Sequence, residues 1–463
     1  MTRVQRASLP VLLQGKDGLV AGKTGTGKTL AFLVPAVELL RRAGVDPAQR
    51  AISVLIISPT RELGSIHAAA MQTVKEAWML AGGPRGDIKV GCVMGGRDFL
   101  AERQEMQDAP AIHILVCTVG RLLDHLKKDD ALRTRLADLR MLILDEADTL
   151  MQTTFEQEMG EILTFLPPAD RRQTLLFSAT IPSTIPVEGL IREDYTLVDA
   201  VDKSDAITNV NATQQYLVVP LADTVRAIYS LLLHHTTTNA RYKILVFFAT
   251  ARLTQFMSML FTQVFHIPTL EIHSRRAQDK RTATSDDFRK QDNVILFSSD
   301  VSARGMDYED VTFVLQVGRA SNREQYIHRL GRTARAGKEG YGLLLLAPHD
   351  ESFLAALHDL PILPTTAPAA HGDTPLPETM VEEWKRGVHR RGELKSRAVQ
   401  AYQSWLGFYN SHKKQLDWDK ERLVAEAALF AVECLKFAAP PAILHSIAKK
   451  MGLGDVSSLP TKK

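Results

Sequence analysis

Short apolar runs recur along this chain, and each breaks off at small or polar residues: "ISVLIISPTREL", "IHILVCTVGR", "MLILDEADTL" and "TLLFSAT", then "KILVFFATA", "NVILFSSDVSARG" and "YGLLLLAPHD". Between them lie longer segments with helical periodicity, such as Leu30 to Arg42 and Arg252 to Phe265. Strand-like and helical segments in alternation make parallel α/β sheets. In such sheets ligands bind in the loops beyond the carboxyl ends of the strands. The polar ends of the runs are where chemistry is expected.

A chain of 463 residues exceeds one hydrophobic core, and about three domains are expected at roughly 100 to 200 residues each. The polar stretch around Val198 to Gln215 separates a first set of strands from a second. The expected boundaries are a first α/β domain over 1–200, a linker over 201–213 and a second α/β domain over 214–360. Five prolines fall between Pro361 and Pro377, so 361–380 reads as a second linker, too polar and broken to pack. Beyond it the strand pattern stops. Residues 381–463 read as a basic helical extension, with 15 Lys and Arg against 9 Asp and Glu in a chain of net charge +3. There Tyr402, Trp405, Phe408 and Tyr409 recur at helical spacing, the pattern of a small helical core.

Composition excludes several classes. No apolar run approaches the roughly 20 residues that span a bilayer. The three cysteines, Cys92, Cys117 and Cys434, have no paired ligand spacing, so neither a disulfide framework nor a zinc site is expected. The opening "MTRVQRASLPVLLQGKD" superficially looks like a transit peptide. Because the first phosphate-loop glycine comes by Gly22, the start is expected to be clipped at a domain edge, with no removable leader.

The stretch Gly22, Lys23, Thr24, Gly25, Thr26, Gly27, Lys28 and Thr29 fits GxxxxGK[ST] between a strand and a helix. Glycines let backbone N–H groups wrap phosphate oxygens, and the helix that follows points its positive end at them. Lys28 would reach the β and γ phosphates, and the Thr29 hydroxyl would sit on Mg²⁺. A nucleoside triphosphate is the implied ligand. Asp145 and Glu146 end the apolar strand "MLILD"; there one carboxylate can hold the Mg²⁺ shell while its neighbour activates water.

From "DEAD", Asp145 to Asp148, the chain resembles the DEAD-box RNA helicases, and the resemblance runs in order through both α/β domains. "PTREL" (Pro59 to Leu63), Gly95 and Gly96, "TVGR" (Thr118 to Arg121), "SAT" (Ser178 to Thr180), "SSDVSARGMD" (Ser298 to Asp307) and "YIHRLGRTARAG" (Tyr326 to Gly337) all correspond. The resemblance implies two tandem RecA-like parallel-sheet domains plus the C-terminal α-helical extension, with ATP between the domains and RNA across both. It implies that Gln5 reads adenine, that Asp307 lies near the ribose, and that Arg332 and Arg335 are arginine fingers. By the same correspondence RNA would meet Pro59, Thr60, Arg61, Gly96, Thr118 and Arg121, then Arg275, Ser299, Asp300, Arg304 and Gly305. Ser178, Thr180, Asp148 and His328 would couple nucleotide state to unwinding. Backbone amides, hydroxyls and arginines suit phosphate and 2′-OH contacts.

Departures from the family pattern are the missing aromatic upstream of Gln5, the altered run after "PTREL", Val119 in place of proline and Ser299 in place of threonine. The first suggests an incomplete N-terminus. The tail "AYQSWLGFYNSHKK" and "PPAILHSIAKKMGLGDV" is similar to that of fungal mitochondrial RNA helicases of the Mss116 type. That similarity implies an RNA chaperone of the mitochondrial matrix acting in intron splicing on single-stranded and structured RNA, and it names no protein partner. The alternatives are an ATP-dependent RNA clamp serving as a scaffold and a nuclear ribosome-biogenesis helicase of the same family.

Overall fold

The computed structural model describes residues 1–22, 26–44, 50–59, 73–77, 79–82, 87–95, 98–109, 111–151, 156–178, 188–200, 212–302, 308–334, 338–365, 374–390 and 392–462. The chain divides into two compact units, Met1–Ile207 and Thr208–Lys463.

The first unit is built on a parallel sheet in the order β3-β4-β2-β5-β6-β1-β7. Its strands are β1 (Gly18–Ala21), β2 (Val54–Ser58), β3 (Val90–Val93), β4 (Ile114–Thr118), β5 (Met141–Asp145), β6 (Gln173–Ser178) and β7 (Thr196–Asp199). Successive side chains of a strand face opposite sides. Leu55 and Ile57 accordingly join one buried cluster while Val54 and Ile56 join the other. Both faces being covered, the strands are unbroken apolar runs rather than alternating ones. Helix α1 (Arg3–Leu12) opens with a capping box formed by Thr2 and Gln5. Helix α2 (Lys28–Ala43) follows the phosphate-loop stretch, α3 (Phe99–Asp108) follows Gly95, and α4 (Val119–Lys128) starts directly at the end of β4.

The second unit repeats the plan in the order β10-β11-β9-β12-β13-β8-β14. Its strands are β8 (Ala212–Val218), β9 (Lys243–Phe248), β10 (Leu270–Ile272), β11 (Val294–Ser298), β12 (Phe313–Val317), β13 (Gly340–Leu346) and β14 (Ile362–Pro364). One face carries α5 (Thr224–Thr238) and α6 (Ala251–Gln263); α7 (Arg323–Leu330) leads into the "GRT" turn. The extension supplies α8 (Glu378–His389), α9 (Glu393–His412) and α10 (Lys420–Leu429).

Two expectations are corrected here. The stretch 361–380 is not wholly unpacked: Ile362–Pro364 pairs in parallel with β8, and Leu376 enters the core. Proline is tolerated because β14 is an edge strand, where a missing N–H breaks no ladder. A three-residue strand is too short to show a period. The extension also has no core of its own. Trp384, Tyr402, Trp405 and Tyr409 belong to the same buried cluster as Ile244, Val246 and Phe248 of β9. Trp384 meets Phe265 edge to face at 5.9 Å, and Ser404 hydrogen-bonds Thr250 at 2.8 Å. The helical aromatics are core residues, as their spacing predicts. Among the described residues no helix is long and apolar enough to cross a membrane.

Candidate functional site

The nucleotide candidates of the first unit gather at the carboxyl ends of three adjacent parallel strands, β5, β6 and β1. Gly22 follows β1 and donates its N–H to Ser178 O at the end of β6 (3.0 Å). Gly27 precedes α2 with φ 84°, a left-handed conformation that glycine adopts without steric cost. A β-carbon there would lie 2.5 Å from Gln5 Nε2. Instead Gln5 Nε2 donates to Gly27 O at 3.1 Å, so the adenine candidate on α1 is tied to the loop it serves.

Lys28 is buried at the start of α2, and its Nζ donates to Gly22 O (2.6 Å) and Ser178 O (3.2 Å). Burial pushes its ammonium below the ordinary lysine range, opposed by the nearby Asp145, Asp148 and Glu146 carboxylates. Asp145 is raised above its ordinary range, again by burial first, with Lys28 pulling it back. Each charge is desolvated and only partly compensated by the other. Such a place favours an added polyanion together with a divalent cation. Glu146, next in sequence, takes φ 52° and ψ 49°, a left-handed turn that is uncommon for a residue with a β-carbon. It ends the strand and starts a short helix at Ala147, in which Asp148 accepts the Thr149 N–H at 3.1 Å. Thr26 and Thr29 are half-buried beside this edge. Lys23, Thr24, Gly25 and Thr180 lie outside the described residues.

The RNA candidates of the first unit stand at the ends of β2 and β4, which are neighbours in the sheet. Pro59 follows β2; Thr118 ends β4 and immediately precedes α4, on whose first turn Arg121 stands. Gly95 N–H donates to Thr118 Oγ1 at 3.3 Å, joining the glycine turn to the "TVGR" stretch. Thr60, Arg61 and Gly96 lie outside the described residues.

In the second unit Arg275, exposed, follows β10, and Ser299 and Asp300 follow the adjacent β11. Asp300 is in an ion pair with the fully buried Arg329, whose Nε donates to Oδ1 at 2.5 Å. A carboxylate so engaged anchors α7 to the end of β11. Arg329 was not singled out by the sequence; its burial over the Phe247 ring (5.5 Å) explains why a charge sits in an otherwise apolar environment. His328 is buried on the same helix, and Arg332 is buried with its Nε donating to His328 O at 3.3 Å. Arg332 lines a cleft of about 290 Å³ with Tyr308, Lys243, Asp310 and Lys338. Arg304, Gly305, Asp307 and Arg335 lie outside the described residues.

The sequence also gave no prominence to Glu102 and His125. Glu102 sits on the buried face of α3, accepts from Met94 N–H and Arg121 Nη1 and lies beside His125. The signal was present: Phe99, Glu102 and Met106 fall at i, i+3 and i+7, which puts a carboxylate on an apolar stripe.

Comparison with known proteins follows the same division of the chain. The DEAD/DEAH box helicase family model matches residues 2–186, and the helicase conserved C-terminal domain matches residues 223–337. The chain is 42% identical to DEAD-box ATP-dependent RNA helicase 25 of Oryza sativa subsp. japonica, over 99% of this chain and 75% of the relative. It is also 42% identical to helicase 26 of the same plant, over 99% and 82%. Among solved structures, Mss116p bound to ssRNA and AMP-PNP superposes with a TM-score of 0.82 at 26% identity, covering all of this chain and 92% of that one. Dbp5 of S. cerevisiae, with a TM-score of 0.63 and 22% identity over 79% of this chain, shares the fold. The chain belongs to the DEAD-box ATP-dependent RNA helicases, a family of ATP-hydrolysing enzymes.

Proposed function

We propose that the chain hydrolyses ATP to separate short RNA duplexes locally, and that it does so as a general RNA chaperone in mitochondrial intron splicing or RNA processing. The observation that carries the chemistry is the meeting of Lys28, Asp145 and Glu146 beyond the ends of β1 and β5, the two strands that flank β6, with Lys28 and Asp145 both pushed toward neutrality by burial. Triphosphate oxygens would take the place of the Gly22 and Ser178 carbonyls on Lys28 Nζ. Gln5 would read adenine. Asp145 and Thr29 are the donors that would hold Mg²⁺, whose charge offsets that of the phosphates when it is bound. Glu146 would take the proton of the attacking water. Arg332 and Arg335 would stabilise charge spreading over the transferring phosphoryl group.

Pro59, Thr60, Arg61, Gly96, Thr118 and Arg121 in the first unit, with Arg275, Ser299, Arg304 and Gly305 in the second, would follow the RNA backbone through phosphate and 2′-OH contacts. Asp300, paired with Arg329, is assigned to holding that edge in shape. The matrix location and splicing role rest on the tail's similarity to mitochondrial helicases of the Mss116 type. Strand displacement of a short RNA duplex tests the activity: release with ATP and sustained turnover is expected. Tight RNA retention with little steady-state hydrolysis would instead identify a clamp. Fractionation of the full-length protein tests the compartment, and a nucleolar signal would overturn the matrix assignment.

A further inference from the structure

We propose that Glu102 is a positioning residue that sets the RNA-facing edge of the first unit by holding the glycine turn and Arg121 with one buried carboxylate. Only 1% of Glu102 is exposed. Its Oε1 accepts the Met94 N–H at 2.9 Å, on the residue before Gly95. Its Oε2 accepts from Arg121 Nη1 at 3.1 Å and lies 3.0 Å from His125 Nε2. The two oxygens therefore fasten two separate elements, the end of β3 and the first turn of α4. The Gly95 N–H to Thr118 Oγ1 bond closes the same circuit from the other side.

Burying a carboxylate is costly unless it is paired and hydrogen-bonded. Here the cost is met by three donors, one from Met94 just after β3 and two from α4, so the carboxylate stands or falls with their arrangement. The surroundings fix it further: the His125 ring stacks on Phe99 at 4.4 Å, and Arg121 lies over the same ring at 5.9 Å. An arginine side chain carries about 2 kcal/mol of rotamer entropy. Pinning one guanidinium nitrogen from below removes that freedom before RNA arrives, so binding does not have to. The inference rests on the reading above that Arg121 and the glycine turn face RNA.

The test titrates a single-stranded oligoribonucleotide into the ATPase reaction of the full chain, for the wild type, Glu102→Gln, Arg121→Ala and the double variant. Glu102→Gln keeps the shape and removes the charge. It is expected to raise the RNA concentration for half-maximal stimulation by roughly tenfold, with turnover at saturating RNA held within about twofold. In the Arg121→Ala background the same change should cost clearly less than in the wild type, because the Arg121 contact is common to both variants and only the hold on the Met94 N–H is left to lose. Additive effects, or a fall in saturated turnover at unchanged half-saturation, would overturn the proposal. Should Glu102→Gln not yield folded protein, Glu102→Asp, which retains charge but shortens reach, reads the same coupling. If Arg121→Ala leaves half-saturation unmoved, the RNA reading of Arg121 is what fails, and the positioning role falls with it.

Discussion

At the scale of single residues, the proposed chemistry gives Lys28 and Glu146 different tasks. Lys28 is a buried ammonium held by two carbonyls, and its replacement would remove the charge proposed to meet the phosphates. Lys28→Ala is expected to lose ATP binding, as read by titration of a fluorescent nucleotide; retained tight binding would contradict the assignment. Glu146 sits in a left-handed turn that costs about 1–2 kcal/mol for a residue with a β-carbon. That conformation sets the carboxylate's direction independently of its charge. Glu146→Gln should therefore keep ATP affinity while lowering hydrolysis by about 10²- to 10⁴-fold, the usual worth of a general base. Both residues were legible in the sequence, because each closes a recognisable strand-to-loop motif. Glu102 was less legible, because its role appears only when α3, the end of β3 and α4 converge.

At the scale of elements, the parallel strands were readable because both sheet faces are covered, which turns each strand into an unbroken apolar run. The strand β14 was not, being three residues long and carrying a proline. The Asp300–Arg329 pair was read only halfway. The motif drew attention to Asp300 as an RNA contact, and the fold adds its pairing with Arg329 on α7. Asp300→Ala would leave Arg329 buried without its carboxylate, which is expected to cost the second unit about 3–5 kcal/mol, seen as a lower urea midpoint. An unchanged midpoint with weakened RNA affinity would return Asp300 to the RNA surface. The extension is bound by the same logic. Trp384 is 1% exposed within the shared core, so Trp384→Ala should cost about 3–5 kcal/mol. Removal of Val381 to Lys463 should leave an insoluble second unit, and a soluble, cooperatively folding truncation would show that the two cores are separable.

At the scale of the whole molecule, the join between the extension and the second sheet carries a pH-dependent element. Burial raises the Asp350 carboxyl from its ordinary 3.8 to about 6, opposed by hydrogen bonds from the Tyr409 hydroxyl and the Arg319 N–H. The folded state then holds this proton more tightly than the unfolded state. Its contribution is complete below about pH 4 and is lost as pH rises through about 6, a change of up to about 3 kcal/mol. His349, 3.8 Å from Asp350, is pushed by burial in the opposite sense, so the informative quantity is the difference between variant and wild type. Asp350→Asn keeps an acceptor for Tyr409 and Arg319 without the charge. It should gain stability relative to wild type as pH rises from about 4 to about 6 and hold that gain above, as read by thermal midpoints; a constant difference from about pH 4 to about 7 would contradict the buried-carboxyl account. The central claim is that the two units together make an ATPase answering to RNA. It is tested most directly by steady-state ATP hydrolysis with and without single-stranded RNA. Turnover that rises sharply with RNA and disappears in Glu146→Gln is the predicted result, and turnover indifferent to RNA would contradict it.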